Sequence, residues 1–211
     1  MEATNIAYIS IGDCCQTADQ LRRFFGVDNS QFFDWLITPS QALEAFNAPE
    51  EAYFQPGNWT ANEKKDAIED KGTGIIYHHQ FRTDDDHVII LDDVDAQLDN
   101  ARQKFMYLGD KTITTMQEAD QVYLLRYEWV SHAEAARERF AQIRRIFGQY
   151  SENISIVIAS PNASEEILDG PDRLVKILDG PTWGGDDASW HRIFSMIGAT
   201  KPREQGAFAG E

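Results

Sequence analysis

The run Ile154 to Ala159 (ISIVIA), with Asn5 to Gly12 (NIAYISIG) as its counterpart near the start, constrains the fold more than any other feature of the chain. Both are apolar and rich in β-branched residues at successive positions, so an extended segment of either must be covered on both faces. A strand with one wet face alternates apolar and polar residues, whereas a strand of a parallel sheet flanked by helices does not. Val122 to Trp129 (VYLLRYEW) has the same character, and His132 to Phe147, between it and ISIVIA, carries apolar residues at helical spacing. That β-α-β unit implies parallel pairing through a right-handed crossover. The expected fold is therefore α/β: a mostly parallel open sheet with helices on both faces, three-layer, in a single domain over residues 1–199.

Around this frame, Asp13 with Gln16 three residues later offers a D-x-x-Q cap, followed by Ala18, Leu21 and Phe25 at helical spacing, which predicts a helix from Cys14 to Phe25. Pro39 opens a short helix through Phe46. Residues 49–73 are rich in Pro, Gly, Glu and Lys and read as an excursion or flap, with Asn62 to Asp70 as a polar helix. Gly74 to Phe81 reads as a strand containing His78 and His79. Val94, Leu98, Ala101, Phe105 and Leu108 mark one face of a further helix, and Ala188 to Ile197 another. Residues 200–211 are small and polar and are expected to fray.

Charge and cysteine usage exclude several functions. The net charge of −16, with Arg22/Arg23 and Arg144/Arg145 as isolated basic pairs, repels phosphate backbones, so no nucleic acid is expected as a partner. The two cysteines are adjacent and cannot staple distant segments or build a structural zinc site. Together with the lack of a basic and apolar leader or a span of about 20 apolar residues, this predicts a cytoplasmic protein without membrane insertion. The acids Asp84 to Asp86, Asp92 and Asp93 lack the spacing of a calcium loop and read as a solvated face. Neither a metal nor a cofactor is expected.

What chemistry the sequence offers centres on Cys14 and Cys15. A thiol in the first turn of a helix lies at the positive end of its dipole, which favours the thiolate. A nucleophilic thiol also needs an imidazole, and that imidazole an orienting acceptor. His87 and His132 lie beside polar loop or helix-start residues, and His191 on the last helix. His78 and His79 lie in an apolar strand, where an imidazole needs a partner, so one of them is the best candidate base. Asp34, among Phe33 and Trp35, also needs donors: backbone N–H groups, Arg22 or Arg126, or His79.

The block Ser10-Ile11-Gly12-Asp13-Cys14-Cys15-Gln16-Thr17-Ala18-Asp19-Gln20-Leu21-Arg22-Arg23, then Phe33-Asp34-Trp35-Leu36 and His79-Gln80-Phe81, resembles the S-L-G-x-x-C-x-x-A-x-x-L-R, F-D-W-L and H-x-F blocks of a bacterial family of unknown function described as papain-like cysteine peptidases. Arg126 and Glu128, and Trp183-Gly184-Gly185-Asp186-Asp187 with Trp190, are similar to its later blocks. The resemblance implies that Cys15 is the family cysteine and His79 the family histidine. Phe32 stands where the family has proline, and Gln80 where it has an acid after the histidine. A papain-like order would place the third member after His79, as at Asp92, while Asp34 is the more distinctive acid.

Two functions follow. In the first, a cysteine-dependent hydrolase or acyl transferase acts on a peptide or on an acyl- or glycan-linked small substrate: Cys15 attacks, His79 relays the proton and Asp34 orients it. In the second, a non-catalytic ligand-binding protein of a surface-glycan or other biosynthetic pathway binds through F-D-W and the C-terminal tryptophans, with Cys15 as packing.

Overall fold

A computed structural model describes residues 4–26 and 29–200. In chain order, β1 (Ile6–Ser10) leads to α1 (Gln16–Phe25), and β2 (Leu36–Ile37) to a 3-10 stretch at Ser40–Asn47. Next come β3 (Trp59–Ala61), β4 (Ile68–Asp70), β5 (Ile75–Tyr77) and the long α2 (Val94–Glu118). The chain continues through β6 (Gln121–Tyr127), α3 (Ala133–Phe147), β7 (Ile154–Ser160), β8 (Ile167–Asp169), β9 (Asp172–Lys176) and α4 (Asp187–Met196).

Five strands form one sheet in the order β1-β6-β7-β9-β8, parallel except for the β8–β9 hairpin. The runs expected to be covered on both faces are its interior: every residue of β7 is buried. Successive residues of β6 and β7 enter two different cores. Leu124, Ile156 and Ile158 pack with Phe105 of α2 and Phe140 of α3, whereas Leu125, Val157 and Ala159 pack with Leu21 of α1 and Trp190 and Phe194 of α4. The sequence has no polar face on these strands because helices cover both.

A second, antiparallel sheet, ordered β2-β5-β4-β3, is not anticipated by the sequence reading. Its strands are two or three residues long, too short for alternation to show. Leu36, Ile68, Ile75 and Tyr77 join the α2/α3 core, so the two sheets share apolar packing. Residues 49–73, expected as an excursion or flap, hold two of these strands. The expected polar helix at 62–70 is replaced by a hairpin, because the Asn62 carboxamide accepts from the N–H groups of Asp66 and Ala67 and so competes with helical bonding. Asp70, almost fully buried, accepts from the N–H of Phe54 and Gly72 and from the Thr73 hydroxyl, which ties the hairpin to the preceding loop.

Two further boundaries differ. The strand expected over Gly74 to Phe81 ends at Tyr77, leaving His78 and His79 beyond it. Helix α2 continues past Leu108 because Thr112 and Met116 extend its buried face at i+4 spacing. No helix among the described residues is long and apolar enough to cross a membrane. The expected fraying at 201–211 lies outside the described residues.

Candidate functional site

The carboxyl ends of β1 and β6 lie side by side, and one buried cation organises them. Arg126, fully buried on β6, donates to the Ile11 carbonyl at 2.6 Å, the Thr38 carbonyl at 3.0 Å, Glu128 at 2.6 Å and Asp13 at 3.4 Å. Arg139 of α3 pairs with Glu128 at 2.8 Å. A guanidinium removed from water requires this much compensation, and the planar fork supplies donors in several directions at once.

That demand corrects the expected helix start. Asp13 faces Arg126 and does not cap α1; the N-cap position is Cys15, whose side chain makes no capping bond. The Cys15 carbonyl accepts the first helical bond, from the Asp19 N–H at 3.0 Å. Both cysteines thus precede Gln16 and do not occupy the first turn. The corner before them is tight: a Cβ on Gly12 would stand 2.6 Å from the Cys14 carbonyl oxygen.

The F-D-W segment forms a turn. Asp34 accepts from the Gln31 N–H at 3.0 Å and faces Arg22 at 3.5 Å. The Arg22 guanidinium also lies 4.9 Å from the Trp35 ring centroid, and Trp35 takes a left-handed φ of 65°. Burial pushes the Asp34 carboxyl above its ordinary pKa despite the Gln31 N–H and Arg22, so desolvation outweighs the pairing. Asp34→Ala, which removes the acceptor altogether, is expected to lower stability by about 1–2 kcal/mol in urea unfolding. Asp34→Asn, which retains an oxygen for the Gln31 N–H, should cost less.

Asp34 and His79 line the same cleft, of about 350 Å³, together with Trp35, Lys104 and Tyr107. His79 is exposed and stands edge-on to Trp35 at 6.4 Å; partial burial and the adjacent His78 hold its imidazole below the ordinary pKa. Cys15 does not line this cleft. Its thiol is pushed up to about 11, by burial first and then by Cys14, Asp34 and Asp19. Burial raises the Cys14 thiol as well. Among the described residues, no hydrogen bond joins His79 to Cys15 or to Asp34. Asp92 is exposed on the turn before α2 and lines neither this cleft nor the one described next. The ring nitrogen Nδ1 of His132 caps α3 by accepting from the Ala135 N–H at 3.3 Å, and His191 lies edge-on to Phe24.

A second cleft, of about 430 Å³, opens at the ends of β1 and β6, with Asp13, Cys14, Tyr127, Trp129, Asp179 and Trp183 on its walls. Trp35 packs edge-on against Trp183 at 6.4 Å. The Trp183 turn is docked onto α1 by carboxamides: Gln16 donates to the Trp183 carbonyl at 3.1 Å, and Gln20 to the Gly184 carbonyl at 2.7 Å and to Asp187 at 2.9 Å. The buried indole of Trp190 donates to Gln16 at 3.2 Å. Gly185, at φ 81°, has no room for a Cβ, which would lie 2.6 Å from the Gln16 side chain. Gly185→Ala should therefore loosen the turn and lower the melting temperature, by about 2–8 °C for a loss of about 1–2 kcal/mol in a chain of this size.

Sequence reasoning missed Gln16 and Gln20 as organisers of this region. The available signal was a pair of carboxamides four residues apart on the buried side of α1. Among the described residues, no group of three or more His, Cys, Asp or Glu side chains is arranged to hold a metal ion. No family model, no curated protein and no solved structure matches this chain.

Proposed function

We propose that the protein is a ligand-binding domain whose second cleft, at the carboxyl ends of β1 and β6, receives a small organic ligand without transforming it. One observation carries the reading: Trp129 and Trp183, 65% and 64% exposed, flank the same cleft. Two indoles left in water at one concavity gain by being covered, and the volume suits a small molecule. The position agrees with the tendency of open α/β sheets to bind ligands beyond the carboxyl ends of their strands. The thiol chemistry points the same way, since a nucleophile needs a depressed pKa or an adjacent base, and Cys15 is shifted upward.

A second reading, a Cys15/His79/Asp34 hydrolase or acyl transferase, draws support from the family resemblance and from one specific observation. The Asp34 charge acts on the Cys15 thiol, and Asp34 shares a cleft with His79, so three distant segments converge on one region. Brief haloacetamide treatment at neutral pH, followed by mass spectrometry, separates the two. Binding without catalysis predicts that neither cysteine is labelled in the time a free thiol reacts. Rapid, selective labelling of Cys15 would favour the hydrolase.

A further inference from the structure

We infer that the second cleft selects a positively charged organic ligand, a substituted ammonium, over neutral or anionic molecules of the same shape. The inference rests on the ligand-binding reading and adds the charge and chemical class of the ligand.

The walls supply what such a cation requires. The buried Tyr127 and the exposed Trp129 meet edge to face at 6.1 Å, and Trp183 contributes a second exposed indole. Aromatic faces carry negative potential and attract a cation near the ring centroid, tryptophan most strongly. Two carboxylates, Asp13 and Asp179, line the same space, and no Lys, Arg or His does. Both lie close enough to Tyr127 to act on its phenol, whose pKa rises through burial first and then through Asp179, Cys14 and Asp13, so the phenol stays neutral.

Their charges are not equivalent. Arg126 pairs with Asp13 at 3.4 Å and offsets part of its charge. Asp179 is exposed and has no ion pair among the described residues, so it carries the uncompensated charge of the cleft. The net charge of −16 adds a long-range attraction of the same sign. The first cleft differs, because Lys104 and His79 are on its wall.

A substituted ammonium fits better than an inorganic ion. Hard cations demand several oxygen ligands, and no group of carboxylates among the described residues is arranged to hold a metal. An alkylated ammonium is weakly hydrated and gains from contact with indole faces, which this cleft offers.

Three probes of one shape test the inference on the full chain: choline, its neutral isostere 3,3-dimethylbutan-1-ol, and the anion 3,3-dimethylbutanoate, followed by calorimetry and tryptophan fluorescence. Choline is expected to saturate and to bind about tenfold tighter than the alcohol, weakening as salt rises. Asp179→Asn should weaken choline about fivefold with the melting temperature unchanged, because that side chain is exposed, and Trp129→Ala should weaken it about tenfold. If the alcohol or the butanoate binds as tightly as choline, or if Asp179→Asn has no effect, the charge selection is overturned and ligand binding stands. If none of the three saturates, both are overturned.

Discussion

Replacing Arg126 by leucine is expected to lower the stability of the fold by about 3–5 kcal/mol, the cost of removing one partner from a buried ionic network. The leucine fills part of the volume but leaves the Ile11 and Thr38 carbonyls without the donors they have now, and Asp13 without its cation. Glu128 keeps Arg139, so its loss is partial. Because the Thr38 carbonyl follows β2 and the Ile11 carbonyl follows β1, the substitution also releases the join between the two sheets. In a 211-residue chain this corresponds to a fall of roughly 6–20 °C in melting temperature. Arg126→Lys should recover little, since an ammonium cannot span four acceptors in different directions. Thermal and urea unfolding measure both variants, and a loss below about 1 kcal/mol for the leucine would mean that the guanidinium is not the organising group.

The second large effect concerns Cys15. With the thiol near 11, about one molecule in 10,000 carries the thiolate at pH 7, against about one in 100 for an ordinary cysteine near 9.0. Alkylation of Cys15 is therefore expected to be at least about 100-fold slower than that of a free thiol at pH 7, with the rate rising towards a midpoint near 11. Asp34→Asn removes one of the charges that raise the thiol and should shift that midpoint downward. The same shift bears on stability. The unfolded thiol ionises near its ordinary 9.0 while the folded one holds its proton to about 11. The folded state binds the extra proton within that window, so this contribution is fully present below pH 9 and is lost as pH rises towards 11. A midpoint at or below 8.5 would contradict the placement of Cys15.

The parallel frame was legible because its signal is strong and local. In ISIVIA every residue but Ser155 is apolar, and only two-sided burial tolerates that. Strands of two or three residues such as β2 and β5 leave no such imprint, and the second sheet went unread. The site divides along the same line. That Asp34 needs donors follows from its aromatic neighbours. Which of Gln31, Arg22 and His79 supplies them depends on contacts between segments, and the first two do. The start of α1 was misread because Asp13 is a good cap in isolation, whereas a guanidinium 113 residues away claims it. Trp129 and Trp183 are 54 positions apart in sequence, and nothing in either segment signals that they line one cleft.

The docking of the Trp183 turn on α1 also sets an order of events during synthesis. Gln16, Gln20 and their partners are separated by 164 to 174 residues, so α1 leaves the ribosome long before the groups its carboxamides bind. At about 5–20 residues per second, that wait is roughly 10–35 s. Throughout it, the α2/α3 side of the sheet can close progressively, but the α1 side lacks Trp190, Ile193 and Phe194, the residues that complete its core. The Trp183 wall of the cleft is consequently completed only shortly before α4 closes that core. A nascent chain halted before residue 183 would leave the α1 side of the sheet without α4 and its apolar face open to water.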